Sequence, residues 1–219
     1  MTTGKSTGLI GSAMKALHAP IYEARKRALV RAIVPHLQPN DAVLDVGCGV
    51  GVLGQAIMHA PDCPEGVRVT GLERFARGGE PIPVRAYDGI TFPDPDDSHD
   101  VVIVADVLHH EENPDRLLRE CARVARRLVI IKDHQIAGPL AQQRISLIDW
   151  AANAPHSVKC LYRYNTPNQW AALPARLGLR PVAELHSMNL YPPIVNLLFG
   201  RKLQYMAFLA PSDTVDQDA

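Results

Sequence analysis

Residues 42–54 read A-V-L-D-V-G-C-G-V-G-V-L-G, and this stretch decides the fold. Its apolar start, Val43, Leu44 and Val46, predicts a short buried strand. Three glycines follow at alternate positions, and apolar residues then recur at helical spacing. A strand that passes through glycines into a helix lets a ligand approach the backbone closely, because no β-carbon stands in the way. The helix start also presents unpaired N–H groups, so the stretch predicts a ligand site.

The spacing of the glycines separates two kinds of ligand site. An ordinary dinucleotide-binding turn reads G-x-G-x-x-G, whereas Gly47, Gly49 and Gly51 read G-x-G-x-G, with Asp45 two residues before them. The strand, the acid and the glycines together resemble motif I of the class I S-adenosylmethionine-dependent methyltransferases, in the small-molecule, type 11-like branch. A glycine turn that only packs a helix against a strand is the alternative.

The resemblance covers roughly residues 41–133 with specific motifs and implies both a fold and an activity. The implied fold is α/β, a Rossmann-like, doubly wound, seven-stranded sheet that is mostly parallel with an antiparallel last strand. A helical substrate lid is added to it. The implied enzyme is a transferase that uses S-adenosyl-L-methionine as cofactor.

Size and composition limit the other classes of protein. The chain has 219 residues, of which 47% are hydrophobic and 21% charged, so we expect a single globular domain, which the resemblance implies to be a methyltransferase domain. Basic and acidic residues number 23 each, which gives no reason to expect nucleic acid or an integral membrane as partner. The four cysteines form no C-x-x-C pair, which disfavours zinc and disulfides. No signal peptide or long apolar run is visible, so a cytoplasmic location is expected.

We divide the domain into five segments. Residues 1–40 are an N-terminal helical cap, residues 41–133 the cofactor-binding half, and residues 134–165 a substrate lid. Residues 166–211 hold a C-terminal helix and two strands, and residues 212–219 a disordered tail. In the cap, Arg25, Lys26, Arg27 and Arg31 are interpreted as a solvated basic face.

The cofactor site is predicted at the ends of successive strands. The second strand delivers Glu73, placed where an acid binds ribose hydroxyls. The resemblance implies that Asp88 accepts from the adenine amino group, although an Asp-Gly turn needs no ligand. It also implies that the segment after strand four flanks the adenine and methionine parts. The full predicted set is Asp45, Gly47, Cys48, Gly49, Gly51, Glu73, Arg74, Asp88, Gly89, Asp106, Val107 and Leu108.

Histidines supply the catalytic candidates. His134 follows the fifth strand, and a histidine pKa near ~6.5 suits a general base, although the residue could simply cap the next segment. His109 is the second candidate base. The adjacent pair His109 and His110 invites a metal, but consecutive side chains seldom point at one ion, so we expect no metal there and assign His110 to substrate contact. The predicted substrate residues are Tyr22, His110, Asp149, Trp150, His156, Tyr162, Tyr164 and Tyr191.

The predicted reaction is in-line transfer of the sulfonium methyl to an oxygen or nitrogen of a small-molecule acceptor. Three alternatives remain. A divalent metal on Asp106 and Asp133 could orient a diol or catechol. The chain could be a nicotinamide-dependent oxidoreductase, or a non-catalytic module that only binds S-adenosylmethionine.

Overall fold

A computed structural model describes residues 6–75, 78–153 and 160–212. The strands are β1 Ala42–Val46, β2 Arg68–Glu73, β3 Val84–Ala86, β4 His99–Ala105, β5 Ala125–His134, β6 Leu179–Leu185 and β7 Gln204–Pro211. The helices are α1 Ser6–Ile33, α2 Val52–Met58, α3 Pro114–Val124, α4 Ala141–Asn153, α5 Pro167–Arg176 and α6 Pro193–Phe199. Short 3-10 turns cover Val34–His36 and Leu108–His110.

The strands form one seven-stranded sheet in the order β3-β2-β1-β4-β5-β7-β6. All pairs from β3 to β5 are parallel, and β7 is antiparallel to both β5 and β6. The order reverses between β1 and β4, the switch point at which ligands bind beyond the carboxyl ends of strands. The predicted seven-stranded, doubly wound fold with an antiparallel last strand is therefore confirmed.

The hydrophobic core lies on both faces of the sheet, because alternate side chains of a strand point to opposite faces. In β4, Val102 and Val104 pack with the α3 and α5 side, whereas Val101 and Ile103 pack with the α1 and α2 side. This two-sided burial explains the continuous apolar run of the central strand. Within the described residues we find no helix with the length and apolar character of a membrane span.

Several element boundaries differ from the sequence prediction. Helix α6 was not predicted, because its start in the Tyr191-Pro192-Pro193 segment reads as a loop, although proline suits a first helical turn. Strand β5 begins at Ala125 rather than at residue 128 and continues through His134. Its last residues, Lys132 to His134, therefore stay in the sheet and are all buried.

The glycine loop after β1 has the backbone conformation that its sequence requires. Gly47, Gly49 and Gly51 have φ of 66°, 57° and 73°, a region that other L-residues enter at a cost. A β-carbon on Gly47 would also lie 2.5 Å from a methyl group of Val107. The loop therefore keeps its backbone close to the segment after β4.

Helix α5 packs against the end of β5 and forms a hydrogen bond to it. Thr166 caps this helix in a reciprocal capping box with Gln169. Trp170 is buried, stacks on Tyr205 with ring centroids 4.6 Å apart, and donates its indole N–H to the carbonyl oxygen of His134 at 3.1 Å. The cap of α5 thus helps to hold His134 in place.

We predict that Thr166→Ala lowers the free energy of unfolding by about 1 kcal/mol, because the hydroxyl that accepts from the Gln169 N–H is lost. Urea denaturation measures this change. Thr166→Ser is the matched control, since it keeps the hydroxyl and should retain most of the stability. Equal losses in the two variants would contradict a capping role.

Candidate active site

A cavity of about 510 Å³ opens at the carboxyl ends of β1, β4 and β5. Helix α1 covers one side, and α4 and α6 contribute apolar side chains on another. Of the residues predicted from sequence, the cavity brings together the following: Tyr22, Asp45, Gly47, Cys48, Gly49, Asp106, His109, His110, His134, Asp149 and Tyr191. Predicted cofactor, catalytic and substrate residues therefore share one space.

The remaining predicted residues lie outside the lining of this cavity. In the adenosine half they are Gly51, Glu73, Arg74, Asp88, Gly89, Val107 and Leu108. Of the lid residues, Trp150 is 56% exposed, and Tyr162 lines a neighbouring cavity. Tyr164 is buried and does not line the cavity. Its hydroxyl donates to Asp149 Oδ2 at 2.6 Å, so it contacts a residue of the cavity lining. His156 lies outside the described residues.

Asp45 and Glu73 organise the glycine loop. Glu73 accepts from the Gly49 N–H at 2.8 Å and from the Arg74 N–H at 2.8 Å, which ties the loop to the end of β2. Asp45 is only 3% exposed, and its Oδ2 has no hydrogen-bond partner among the described residues. Burial raises the pKa of Asp45 to about 7, partly offset by the Arg25 charge. The Asp45 carboxylate is suited to a cationic group of a ligand. The space beside Gly49 is open, because a β-carbon built on this residue would have no described atom within 4 Å.

Asp106 lies directly after β4 and is held by two cations. Lys132 Nζ bonds to one carboxylate oxygen, and the Arg25 guanidinium bonds to the other, with its Nε at 2.9 Å. These charges hold the pKa of Asp106 well below its ordinary value, although burial opposes them. Asp106 has φ of 57°, and its N–H donates to the Lys132 carbonyl oxygen at 2.8 Å.

Arg25 and Lys132 were missed as site residues by sequence reasoning. Arg25 was interpreted as part of a solvated face, but it turns inward from α1 and lines the cavity. Arg27 and Arg31 are exposed as predicted. The spacing of the arginines along α1 does not show which of them contacts a buried acid. The sequence therefore contains no signal that singles out Arg25.

His109 is buried between two carboxylates. Its Nδ1 lies 2.6 Å from Asp133 Oδ1, and its Nε2 lies 3.6 Å from Asp149 Oδ1. Asp133 and Asp149 raise the pKa of His109 to about 10 against the effect of burial. In this state His109 carries a proton at neutral pH.

His134 lies beside His109, but its surroundings lower the pKa of its ring, whereas those of His109 raise it. Its ring centroid is 5.0 Å from that of His109, and its Nε2 is 4.0 Å from Asp106 Oδ1. Burial, helped by the Lys132 charge, lowers the pKa of His134 to about 4, so its ring is neutral at pH 7. Its Nδ1 has no hydrogen-bond partner within the part of the chain that the structure describes.

At the adenosine half, the Asp88 carboxylate forms an Asx turn. It accepts from the Ile90 N–H at 2.7 Å and the Thr91 N–H at 2.9 Å, and these bonds lower the pKa of Asp88. The turn interpretation of this Asp-Gly pair is thus satisfied without a ligand. Arg74 reaches Glu111 at 2.7 Å, which links the ends of β2 and the segment after β4.

The metal alternative on Asp106 and Asp133 does not fit the contacts of Asp106, although Asp133 Oδ2 has no hydrogen-bond partner among the described residues. Both oxygens of Asp106 are occupied by Lys132 and Arg25. Oδ1 of Asp133 accepts from the His134 N–H and lies against the His109 ring, each at 2.6 Å. A divalent ion between these acids would have to displace buried cations, so this arrangement is not favoured.

The fold and the glycine-loop cavity define a nucleotide-type ligand site on a doubly wound sheet. The family model described as "Methyltransferase domain" matches residues 18–184, which is most of the chain. The chain belongs to this family, in the class I S-adenosylmethionine-dependent methyltransferase fold, and its cofactor is S-adenosylmethionine. The oxidoreductase and non-catalytic alternatives are not favoured.

Individual relatives agree with this assignment. The ubiquinone biosynthesis O-methyltransferase of Sodalis glossinidius is 33% identical over 99 residues, which cover 38% of this chain. The chain spans only 36% of the length of that curated relative.

Solved structures also share the fold. An S-adenosylmethionine-dependent methyltransferase from Thermotoga maritima aligns with a TM-score of 0.64 at 14% identity, covering 92% of this chain and 94% of that one. The 1,6-didemethyltoxoflavin-N1-methyltransferase of Burkholderia thailandensis, with bound S-adenosylhomocysteine, has a TM-score of 0.60 at 16% identity. The alignment covers 97% of this chain and 93% of the Burkholderia chain.

We predict that Lys132→Met lowers the free energy of unfolding by about 3 kcal/mol, because Lys132 is 1% exposed and its loss leaves Asp106 under-compensated. A double-mutant cycle with Asp106→Asn tests the cause, since asparagine tolerates the positive φ of this position. The loss of unfolding free energy in the double variant should be smaller than the sum of the two single losses by at least about 1 kcal/mol. Strictly additive losses would contradict a direct interaction.

Proposed function

We propose that this chain transfers the methyl group of S-adenosylmethionine to an oxygen or nitrogen of a small molecule bound in the 510 Å³ cavity. One observation carries the proposal. Asp45, whose buried Oδ2 has no hydrogen-bond partner among the described residues, lines the same cavity as the histidine cluster, so a cationic ligand group and a nucleophile can meet there. Bound S-adenosylmethionine supplies an activated sulfonium methyl group.

The amino-acid part of the cofactor would lie at the glycine loop. Asp45 accepts from its ammonium group, and the open space over Gly49 leaves room for the main chain to approach. Arg25 stays bonded to Asp106 through Nε and one terminal nitrogen and offers the N–H groups of its other terminal nitrogen to the cofactor's carboxylate. Glu73, at the end of β2, binds the ribose hydroxyls.

The acceptor side of the cavity is largely apolar, with polar groups at one end. Leu147 and Ile148 of α4 and Val195 and Phe199 near α6 form the apolar part. Helix α4, which belongs to the predicted lid, closes this side. Such a lining suits a small molecule with an apolar body and one polar reacting group.

Catalysis in this arrangement consists mainly of alignment. Holding nucleophile and methyl group in line supplies roughly 7–11 kcal/mol of barrier reduction in well-oriented systems. His134 receives the acceptor's proton, because its ring lines the cavity and its Nδ1 has no partner among the described residues.

The Asp45 proposal predicts pH-dependent binding of S-adenosylhomocysteine. With a pKa of about 7, Asp45 must lose a proton before it can pair with the ligand's ammonium group. The dissociation constant should therefore rise about tenfold as pH falls from 8 to 6. Titration calorimetry at several pH values measures this. The other groups that face Asp45 are Arg25, Glu73 and Cys48.

Asp45→Asn is the matched control for this experiment. It keeps the shape of the side chain but cannot ionise, so binding should weaken at least tenfold at pH 8 and should become nearly flat with pH. An unchanged affinity, or the same pH profile as the wild type, would remove Asp45 from the cofactor site.

His134→Gln should lower kcat at least tenfold while the dissociation constant of S-adenosylhomocysteine changes less than twofold. Turnover is measured with labelled S-adenosylmethionine and a library of small acceptors. His59→Gln is the control, because His59 is exposed at the end of α2 and bonds only its own helix carbonyl. Full activity in His134→Gln would show that the acceptor needs no base at this position.

A further inference from the structure

His109, His110 and Asp149 converge on one point of the cavity. The two histidines belong to the 3-10 turn Leu108–His110, and their ring centroids are 4.1 Å apart. Asp149 Oδ1 lies 3.6 Å from His109 Nε2 and 3.8 Å from His110 Nε2. All three atoms lie within 4.8 Å of one another. The expectation that adjacent histidines would not point at one place therefore fails, because the tight turn places both rings on one side.

Neighbouring groups orient two of these three side chains. Asp133 Oδ1 lies 2.6 Å from His109 Nδ1, which fixes that nitrogen as the donor and directs Nε2 to the cavity. The Tyr164 hydroxyl donates to Asp149 Oδ2 at 2.6 Å, which directs Oδ1 toward the histidines. A carboxylate behind a ligating histidine is the usual arrangement around protein-bound metals.

Two imidazoles and one carboxylate are also a recognised donor set. Catalytic zinc sites use three such protein ligands and keep a fourth position open. The same triad of two histidines and one carboxylate binds other first-row divalent ions. Ligands at about 2.0–2.2 Å from a tetrahedral ion stand roughly 3.3–3.5 Å apart. The two separations that involve Asp149, 3.6 and 3.8 Å, are close to that spacing, and the histidine nitrogens lie within 4.8 Å of each other.

We infer that His109, His110 and Asp149 bind a first-row divalent cation such as Zn²⁺, whose open position takes an oxygen of the methyl acceptor. This inference rests on the proposed function for the role of the ion, but not for its binding. It differs in place and donors from a site on Asp106 and Asp133.

The ion would define the class of acceptor. A phenol, catechol or enol bound through its hydroxyl oxygen would lose its proton to His134 more readily, as water loses a proton on a protein-bound metal. The resulting oxyanion attacks the methyl carbon, so an O–C bond forms as the C–S bond breaks. S-adenosylhomocysteine leaves as the neutral thioether. Simple alkyl amines, which offer no acidic hydroxyl, would be poorer acceptors.

Calorimetric titration of chelator-treated full-length protein with Zn²⁺ tests the site without turnover. We expect one ion per chain with a dissociation constant of about 1 µM or lower. Asp149→Asn and His110→Gln should each weaken binding at least 100-fold, and Asp133→Asn 10–100-fold through loss of orientation. Thermal melting confirms that each variant is folded. If a variant fails to fold, the wild-type protein is titrated with Co²⁺ instead. The visible absorption bands of the bound Co²⁺ then report whether the ion is four- or five-coordinate.

His186→Gln is the control for surface binding, because His186 is exposed and does not line the cavity. It should bind Zn²⁺ as the wild type does. Absence of a one-to-one site, or equal binding in Asp149→Asn and His110→Gln, would overturn the inference.

A parallel titration with S-adenosylhomocysteine separates this inference from the proposed function. Binding of S-adenosylhomocysteine without Zn²⁺ binding defeats only the metal site. Binding of Zn²⁺ without S-adenosylhomocysteine supports the metal site and defeats the proposed methyl transfer.

Discussion

The carboxylate of Asp106 ties together the three parts of the chain that enclose the cavity. It lies at the end of β4, it bonds to Lys132 near the end of β5, and it bonds to Arg25 from α1. A buried acid with one cation on each oxygen is stable only if both cations stay in place. Helix α1 is therefore held over the carboxyl ends of the strands by charge as well as by the packing of Leu29 and Ile33.

Asp106 is also close to two other parts of the cavity lining. On one side, the charge of its partner Arg25 interacts with Asp45 beside the glycine loop. On the other, His134 Nε2 lies 4.0 Å from Asp106 Oδ1. Asp106 therefore links the glycine loop to the histidine cluster within one cavity.

The sequence was sufficient to predict the sheet, its antiparallel last strand and the ligand loop. The central strand and the ligand loop depend on local patterns: the run from Val101 to Val104 is buried on both faces, and Gly47 and Gly49 have positive φ. The seven strands and the antiparallel last strand were implied by the resemblance to the family. Helix capping is also local chemistry: the Asn113 side chain accepts from the Arg116 N–H, and the Thr166 side chain accepts from the Gln169 N–H. Helix α6 was missed because its prolines resemble those of a loop.

The contacts inside the site could not be predicted, because they join residues far apart in the chain. Arg25 and Asp106 are 81 positions apart, and nothing in the basic face of α1 distinguishes Arg25 from Arg27. The convergence of His109 and His110 depends on a 3-10 turn and on Asp149 from α4. Asp133 entered the sequence reasoning only as a ligand in the metal alternative, whereas in the structure it contacts His109 Nδ1.

Diffraction from crystals grown with S-adenosylhomocysteine tests the central claim most directly. The account predicts density with the ligand's ammonium group on Asp45, its ribose on Glu73 and its sulfur facing the histidine cluster. Density for the ligand elsewhere, or Asp45 turned away from the ammonium group, would contradict it.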